Sequence, residues 1–433
     1  LLTPTNIKPV DAGSTHINTI DINSKTILSQ LSPADQIKAK QDAKKGEHLS
    51  YPLYEKGKGF FTGLAETMVF GVEKGRIRLN LITPYSLYRH GYYEEEQTFI
   101  PFTDEAKTEI LANKDKDVEK YEADKLLFME TKDDDTTLLF SDSPETVEQD
   151  GILYQDTVKG DTRLLYYHLN GMKEDKKIAV VIQNMSDKSN VVKVTKEAVA
   201  GPSEDYLYVG KVTMQRYFNS HETREIELAP YSKTFLRVED DERIVPSGGL
   251  VYGLFDFYAQ EPLKVSVVIA PTDKNLLRYV NYAPILEKDQ HRLRGTYEGK
   301  ERYLTNRRAY NPEEMGKAYF YIGDNKTDLY KYGKDNTDNS VTQNFGNYGI
   351  VYNFEPKLEG KGKTSFYLKP LGGVYAGAMA VKVGENGEYK MISTPDDLPF
   401  FGHEKDINYY AYLGTYNNSD KLSFLYTPPG ASN

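Results

Sequence analysis

The sequence predicts a mainly β protein made of two or three β-sandwich modules of the immunoglobulin-like kind, with a few short helices. Two observations lead to this fold class. A strand pattern that ends at proline recurs along the chain, and residues 161–271 contain a succession of short alternating strands separated by turn residues. We therefore expect several β-modules along one chain.

The recurring pattern is an aromatic-rich strand, a polar turn and an alternating strand that stops at proline. In its first copy Ile77, Leu79 and Leu81 are two residues apart, so they line one face of a pleated strand. Turn residues separate the two strands of each copy, which predicts a β-hairpin. The copies end at Pro84, Pro271, Pro370 and Pro428.

The chain is long enough for about two to four domains, each with its own core. Residues 1–50 are predicted as an N-terminal extension or arm, and residues 51–160 as a β-rich domain with a helical insert. Residues 161–285 are predicted as an immunoglobulin-like sandwich and residues 286–433 as a C-terminal β-sandwich.

The immunoglobulin-like prediction depends on seven short strands between residues 162 and 270. One helix, from Glu204 to Phe218, interrupts this series. Seven alternating strands over so short a segment are typical of that sandwich, here without its disulfide.

Charge and hydropathy exclude two classes of partner. The formal net charge is −10 at pH 7, so a phosphate backbone would be repelled on average. No apolar run approaches the roughly 20 residues that a membrane-spanning helix needs. We expect neither a nucleic-acid partner nor a membrane span.

Cysteine is absent from the sequence, which excludes disulfides, thiolate metal ligands and cysteine nucleophiles. A heat-adapted protein and a surface protein exported without disulfides both fit this composition. The first residue is Leu1, as expected after removal of a leader, and we expect an extracellular location. Tryptophan is also absent, whereas tyrosine, which combines a flat ring with a polar tip, occurs 35 times.

A series of glycine- and proline-containing motifs runs through the second half of the chain. They are Gly201-Pro202 with Asp205-Tyr206-Leu207 and Val209-Gly210-Lys211, Arg294-Gly295-Thr296, Gly346-Asn347-Tyr348-Gly349, Gly372-Gly373-Val374-Tyr375-Ala376-Gly377, and Thr427-Pro428-Pro429-Gly430. In this order they resemble a family of uncharacterised secreted proteins of spore-forming Gram-positive bacteria, often described through a copper-amine-oxidase-like N-terminal module. The resemblance covers residues 150–433.

The resemblance implies an exported cell-surface protein. It implies no activity, because the family has none assigned to these residues. The N-terminal module of the relatives is missing here, and their TPPG turn leads into a further strand, whereas this chain stops at Asn433. The resemblance therefore predicts that a last strand is lacking or is supplied by a neighbouring molecule.

No local motif for catalysis is present in the sequence. The histidines lack the HxH and HExxH spacings, and there is neither a GxSxG elbow nor a phosphate-binding loop. His90, in a tyrosine-rich segment and followed by Glu94, is the best candidate for an acid–base centre, with a polar surface loop as the alternative. Carboxylate pairs for glycoside hydrolysis stay open, because they come from distant positions. We expect no enzymatic activity.

Asp324, Asp328, Asp335 and Asp338 belong to a segment rich in Asp and Asn. Ca²⁺ takes about six to eight oxygen ligands in irregular geometry, so this segment predicts a calcium site. The spacing is not that of an EF-hand, and solvated turns are the alternative. No other cofactor is predicted.

The sequence predicts a non-catalytic extracellular structural protein that assembles with other copies into a surface layer, sheath or filament. Open sandwiches expose edge strands with which another chain can pair. The predicted contact residues are the tyrosines Tyr88, Tyr92, Tyr93, Tyr409, Tyr410 and Tyr412.

Two other functions stay open. The alternative is a protein that binds or processes cell-wall polysaccharide through tyrosine platforms. A third interpretation is a ligand-binding protein, which should have one deep apolar pocket.

Overall fold

The structure is a computed structural model of the 433-residue chain. Its description covers most of the chain from residue 125 onward and, nearer the N-terminus, the backbone of four strands. The described residues are 17–21, 49–51, 67–73, 76–82, 125–221, 223–370, 375–395, 400 and 411–430.

Strands dominate the described residues of both compact units, so the predicted mainly β fold is confirmed. The first unit contains β1 (Ile17–Asp21), β2 (Leu49–Tyr51), β3 (Thr67–Glu73) and β4 (Arg76–Ile82). The strands of the second unit are β5 (Lys125–Leu126), β6 (Met129–Asp133), β7 (Thr137–Ser141), β8 (Thr146–Val147), β9 (Gly151–Asn170), β10 (Lys176–Asn184), β11 (Asn190–Ser203), β12 (Arg224–Leu228), β13 (Lys233–Phe235), β14 (Leu250–Pro271), β15 (Arg294–Glu298), β16 (Glu301–Asn306), β17 (Ala318–Tyr319), β18 (Tyr332–Asp335), β19 (Ser340–Gln343), β20 (Val351–Phe354), β21 (Lys363–Leu368), β22 (Gly377–Val383), β23 (Lys390–Thr394), β24 (Ala411–Asn417) and β25 (Leu422–Tyr426). The described helices are α1 (Tyr206–Asn219), α2 (Leu276–Tyr279), α3 (Pro312–Met315) and a 3-10 turn at Val238–Asp241.

The two units do not follow the predicted domain boundaries. One is Leu1–Asn113 with Asp397–Pro399, and the other is Lys114–Asp396 with Phe400–Asn433. The boundary expected after residue 160 lies inside β9, and the one expected after residue 285 lies inside the second unit. Both halves of β9 pair with β14, so this strand cannot be divided between two domains.

In the first unit, four strands form an antiparallel sheet in the order β1-β4-β3-β2. Strands β3 and β4 pair from Thr67↔Ile82 to Glu73↔Arg76. The hairpin predicted for the first copy of the recurring pattern is therefore confirmed.

In the second unit the largest sheet runs in the order β12-β11-β14-β9-β7-β15-β18-β19, with β8, β10 and β13 attached to it. The seven strands predicted between residues 162 and 270 overlap β9 to β14 of this sheet, and the last two of them are parts of the single strand β14. The helix predicted from Glu204 to Phe218 is confirmed as α1. It begins where the Asp205 side chain accepts a hydrogen bond from the Tyr208 backbone nitrogen, an N-cap that satisfies one free amide of the first turn.

The second copy of the pattern is not a hairpin. It forms the single long strand β14, whose two halves both pair with β9 instead of with each other. The register shifts between Ala259 and Leu263, so the polar segment that looked like a turn is a bulge.

The third and fourth copies are not hairpins either, because the two strands of each belong to different sheets. In the third copy β20 pairs with β16 and β25, whereas β21 pairs with β24. In the fourth copy β24 pairs with β21, whereas β25 pairs with β20 and β22. The alternation of apolar and polar residues predicted these strands correctly, but it does not indicate which strands pair with one another.

A second sheet of the same unit has the order β23-β22-β25-β20-β16-β6. Its side chains share one buried core with the large sheet and with α1. The shared core includes Phe140 and Leu254 from the large sheet, Val212 from α1, and Tyr352 and Phe424 from the second sheet. A separate core contains side chains of β9, β10, β11 and β14.

Arg163 is fully buried on β9, where it joins the large sheet to neighbouring elements. Its guanidinium donates to both carboxylate oxygens of Asp256 on β14, at 2.6 and 2.8 Å. It also donates to the Tyr217 hydroxyl of α1 and to the Glu301 carboxylate of β16, each at 2.6 Å. One side chain therefore connects four elements of the fold.

The remaining donor of Arg163 reaches backbone outside the large sheet. Its Nη1 donates to the carbonyl oxygens of Lys300, at 2.6 Å, and Gly349, at 3.1 Å. Burial raises the pKa of Asp256, but the Arg163 guanidinium outweighs burial and lowers it to about 2. The pair is therefore ionised at neutral pH, and its fork-shaped geometry satisfies both partners.

Replacing Arg163 by methionine would leave the Asp256 carboxylate buried without this cation. We expect Arg163→Met to lower the free energy of unfolding at pH 7 by about 3–5 kcal/mol, because an uncompensated buried charge is costly. Urea titration followed by circular dichroism measures the loss. Arg278→Met, at an exposed position of α2, is the matched control and should change the value by about 0.5 kcal/mol or less. Equal losses in the two variants would contradict the central role of Arg163.

Candidate functional site

Three of the glycine- and proline-containing motifs, those with Gly210, Gly377 and Gly430, lie next to one another in the fold. A Cβ at Gly210 of α1 would lie 2.5 Å from the Gly430 carbonyl oxygen, and a Cβ at Gly430 would lie 2.4 Å from Tyr167 Cε2. Pro429 lies beside Gly377 in the same way, with 3.2 Å between its Cγ and a Cβ built there. The glycines permit these close approaches. The motifs therefore meet over Tyr167, on the core face of the large sheet.

Three polar side chains form a row beside this meeting point, and we call them the Asp142 row: Asp142, Tyr167 and Tyr252. Tyr252 of β14 is directly opposite Tyr167 of β9. Asp142 follows Ser141, which is opposite Tyr166, so it lies one step beyond β7 beside Tyr167. Residues at equivalent positions of neighbouring strands share one face of a sheet, and both tyrosines contribute to the core shared with the second sheet.

Among the residues that the structure describes, two atoms of the row are buried and have no hydrogen-bond partner. They are the Oδ1 of Asp142 and the hydroxyl of Tyr252, whose side chain is 0% exposed. Thr427 of the TPPG motif is also 0% exposed, and its Oγ1 likewise has no partner. Buried polar groups are nearly always paired with protein or water, so each of these atoms needs an explanation.

The electrostatic environment of the row is acidic. Burial raises the pKa of Asp142 well above 3.8, and the carboxylates of Glu145 and Asp289 raise it further. Burial also raises the pKa of Tyr167 and Tyr252, and the Asp142 charge adds to both effects. Burial and the neighbouring carboxylates therefore both favour the neutral form of Asp142, and within the described residues no cation opposes them.

A serine and a histidine lie on the opposite face of the same strands. Ser141 Oγ is 2.8 Å from His168 Nε2, and His168 Nδ1 is 2.9 Å from the Pro144 carbonyl oxygen. Burial lowers the pKa of His168 to about 4, so the neutral ring donates from Nδ1 and accepts from Ser141 at pH 7. Both side chains are fully buried, so we interpret the pair as a structural link between β7 and β9.

Strands β18 and β19 form a hairpin at the end of the large sheet, and several of its apolar side chains are exposed. Within the described residues β19 pairs with β18 alone. Tyr332 is 67% exposed, Val341 77% and Phe345 51%. We call these three residues the edge patch. Tyr332 and Val341 lie on one face of the hairpin, while Asp335 and Thr342 on the other face are buried.

Asp335 and Asp338, two of the predicted calcium ligands, stabilise this hairpin by binding side chains and backbone of the protein. Asp335 accepts hydrogen bonds from Arg294 Nε, at 2.8 Å, and from the Thr337 backbone nitrogen, at 2.9 Å. Lys288 lies 3.2 Å from an oxygen of Asp335 and 2.7 Å from an oxygen of Asp338. Both carboxylates thus already have a cationic partner.

The other two predicted calcium ligands also have protein partners. Asp328 is buried and accepts from Arg302 at 2.5 Å and from the Tyr352 hydroxyl at 2.6 Å. Asp324 accepts from three backbone amides of its own turn, those of residues 326, 327 and 328. Within the described residues no group of three or more His, Cys, Asp or Glu side chains is arranged to hold a metal ion. The calcium site stays a prediction.

Of the six predicted contact tyrosines, the structure describes Tyr412. It is 55% exposed on β24, and its ring centroid is 5.4 Å from that of Tyr367 on β21. Tyr88, Tyr92, Tyr93, Tyr409 and Tyr410 lie outside the described residues, as do His90 and Glu94. Sequence reasoning missed Asp142 and Tyr252, because neither position has a local pattern that marks it.

None of the helices described is both long enough and apolar enough to cross a lipid bilayer. Neither a protein-family model nor a curated protein sequence matches the chain. One solved structure compared with it is that of dimeric latent PorU from Porphyromonas gingivalis, at 7% identity and a TM-score of 0.09. The match covers 72% of this chain but 22% of PorU. A TM-score this low carries no argument about fold or function.

The charge of Asp142 should make the protein less stable as the pH rises. Its pKa in the folded state lies above the ordinary value of 3.8, so the folded state binds more protons than the unfolded state and loses stability above about pH 4. Asparagine has no charge to bury. We therefore expect Asp142→Asn to be more stable than the unsubstituted protein at pH 7, with a difference that shrinks toward pH 4.

Thermal unfolding at several pH values between about 4 and 7 measures this difference. Asp187→Asn, in an exposed turn, is the matched control and should change the melting temperature at pH 7 little. A lower melting temperature for Asp142→Asn at pH 7 would show that the charge is compensated in the folded protein.

Proposed function

We propose that this chain is a non-catalytic structural protein of a bacterial cell surface, which assembles with other copies of itself. The contact proposed is pairing at the free edge of β19, supported by the edge patch and by exposed tyrosines. The proposal also includes an extracellular location and a sandwich arrangement of the two large sheets. The shared core between those sheets supports the sandwich, and the immunoglobulin-like class stays a prediction.

The observation that carries the proposal is the composition of β19. Edge strands of soluble proteins commonly carry charges or proline, which prevent pairing with other chains. The strands at the other ends of the two sheet orders follow this rule: β12 reads REIEL, β6 reads METKD and β23 begins with Lys390. Strand β19 reads SVTQ, with neither charge nor proline. It therefore lacks the protection that these three strands have.

The hairpin that presents this edge is held in place by its buried face. Arg294 and Lys288 bind Asp335, and Asp338 accepts from the Ser340 backbone nitrogen at 2.9 Å. A strand that is already ordered loses less conformational entropy when a partner pairs with it. The exposed side chains of the edge patch add apolar area that such a partner would remove from water.

A charge placed on the edge should prevent the proposed assembly. We expect Val341→Lys to remove or strongly reduce polymers of the purified protein, because Lys on an exposed edge disfavours pairing of strands. Val238→Lys is the matched control, since Val238 is 65% exposed in the 3-10 turn away from β19. Light scattering and negative-stain electron microscopy measure the assembly over a range of protein concentrations.

The same measurements should be made with calcium and with a chelator, which also tests the predicted calcium site. Monodisperse monomers of the unsubstituted protein at high concentration under both conditions would overturn the proposal. Equal loss of assembly in the two variants would move the contact away from β19.

Glycan binding is a second candidate function, favoured by the exposed face of β21 and β24. Tyr367 and Tyr412 pair across these strands, and the Tyr412 hydroxyl is 2.7 Å from Thr415 Oγ1. Thr415 Oγ1 is in turn 2.6 Å from Ser365 Oγ. Aromatic rings beside hydroxyl groups fit the apolar face and the polar rim of a sugar ring.

If this face binds a polysaccharide, Tyr412→Ala should abolish retention on the glycans that the unsubstituted protein binds, because the stacking surface is lost. Tyr258→Ala, at a 46% exposed position of β14, is the matched control. A glycan array of bacterial cell-wall polysaccharides is the measurement. Absence of binding by the unsubstituted protein would count against this second function without affecting the first.

A further inference from the structure

The segment that contains β19 has a symmetric order of side-chain types. It reads Asn-Ser-Val-Thr-Gln, with Val341 at the centre. Ser340 and Thr342, on the two sides of the valine, carry hydroxyl groups. Asn339 and Gln343, one position further out, carry amide groups. When two copies of a strand pair antiparallel about their centre, residues at equal distances from it meet, so this segment would bring each type of side chain to its own type.

The backbone of the hairpin shows which residues face the free edge. The Asn344 N–H donates to the Lys331 carbonyl oxygen, directly before β18, at 2.9 Å. Residues that bond to a neighbouring antiparallel strand alternate with residues that face away from it. Counting back from Asn344, Val341 and Gln343 therefore direct their backbone N–H and C=O groups to the free edge of β19.

Of these two residues, Val341 has the more available backbone. The Gln343 carbonyl oxygen already accepts from the Phe345 backbone nitrogen at 3.1 Å, in a tight turn that ends the strand. The turns and loops of the described residues make no comparable bond to Val341. In an antiparallel pair centred on Val341, each copy would donate its Val341 N–H to the Val341 carbonyl of the other. This closes two hydrogen bonds and leaves the two Cα atoms about 5.5 Å apart.

The side chains on both faces of β19 permit this pairing. Val341 is 77% exposed, so contact with its own copy would remove apolar surface from water. On the other face, Ser340 Oγ accepts from Lys288 Nζ at 2.6 Å. Thr342 Oγ1 donates to the Arg292 carbonyl oxygen at 3.0 Å. Both hydroxyls thus have partners within their own chain and need none from a second copy.

Charged groups beside the edge do not oppose a second copy, although the whole chain has a net charge of −10. Lys334 lies opposite Val341 within the hairpin. In the pair its two copies would be three strand spacings apart, about 14 Å, which exceeds the Debye length of about 10 Å at 0.1 M salt. Asp338 lies 2.7 Å from Lys288 of its own chain. The segment therefore brings no like charges directly against each other.

We propose that β19 pairs with β19 of a second copy, antiparallel and centred on Val341, so that the two large sheets continue into each other across a two-fold axis. The pairing rests on the proposed function, assembly with other copies, and adds which surface of the partner is contacted. A two-fold contact uses the same surface on both molecules and is complete with two copies. Larger polymers are then built from these dimers through a second contact.

A cysteine at the centre of the pair tests the register, because the chain contains no other thiol. We expect Val341→Cys to form a disulfide-linked dimer under mild oxidation, since the central Cα atoms lie within the range that a disulfide spans. Gln343→Cys is the matched control from the same face of the same strand, because its two copies would lie more than about 13 Å apart. Val238→Cys, away from β19, measures random collisions. Non-reducing gel electrophoresis over time should show cross-linking of Val341→Cys at least about ten-fold faster than in either control.

Charges at the centre distinguish a two-fold contact from a head-to-tail contact. Val341→Lys alone places two cations opposite each other, Val341→Glu alone places two anions, and an equimolar mixture can place a cation opposite an anion. Like charges on opposite residues destabilise a strand pair and unlike charges stabilise it. We therefore expect the mixture to dimerise about five-fold or more tightly than either variant alone, as measured by sedimentation velocity. In a head-to-tail contact position 341 meets a different residue, so the affinity of the mixture would lie between those of the two variants.

Assembly of the unsubstituted protein is measured first, so the two proposals fail in different ways. If it assembles but Val341→Cys cross-links no faster than Gln343→Cys, the β19 pairing is overturned and assembly through another contact stands. The same holds if the charged mixture dimerises no more tightly than its components. If the unsubstituted protein stays monomeric at every concentration, the proposed function fails and the pairing fails with it. Circular dichroism establishes that each variant is folded.

Discussion

The second unit depends on the neutralisation of one buried cation. Arg163 has no exposure to water, so its charge and its donors must be satisfied by protein atoms. Those atoms come from β14, α1, β16 and the segment around Gly349, which are far apart in the sequence. Any arrangement that separates these elements would leave a charge buried without a partner. The guanidinium therefore restricts how the large sheet, the helix and the second sheet fit together.

The same core also contains polar atoms that have no hydrogen-bond partner. Close to the satisfied Arg163 network, the Asp142 row leaves a carboxylate oxygen and the Tyr252 hydroxyl without partners. These unpaired atoms take no part in the network that satisfies Arg163. Polar groups that destabilise an otherwise well-packed core commonly belong to sites that do something else, because stability there is given up for function.

The free edge of β19 and the pair formed by Tyr367 of β21 and Tyr412 of β24 lie at the surface, where water can satisfy polar groups. Backbone groups at a sheet edge can be satisfied by water, so an unprotected edge costs the monomer little but makes pairing with another chain available. The carboxylates predicted as calcium ligands illustrate how one residue pattern fits two interpretations. Oxygen-rich turns bind calcium when no cation of the protein is near, but here Lys288, Arg294 and Arg302 lie beside three of the four carboxylates.

Local pattern in the sequence determined where strands and the long helix lie, because alternation and capping act over a few neighbouring residues. It located the strands of β9 to β14 and the helix that begins after Asp205. Tertiary structure alone decided which strands pair, so three of the four expected hairpins became a bulged strand or strands of different sheets. It also decided the Arg163 network and the Asp142 row, since both bring together residues that only long-range register places side by side.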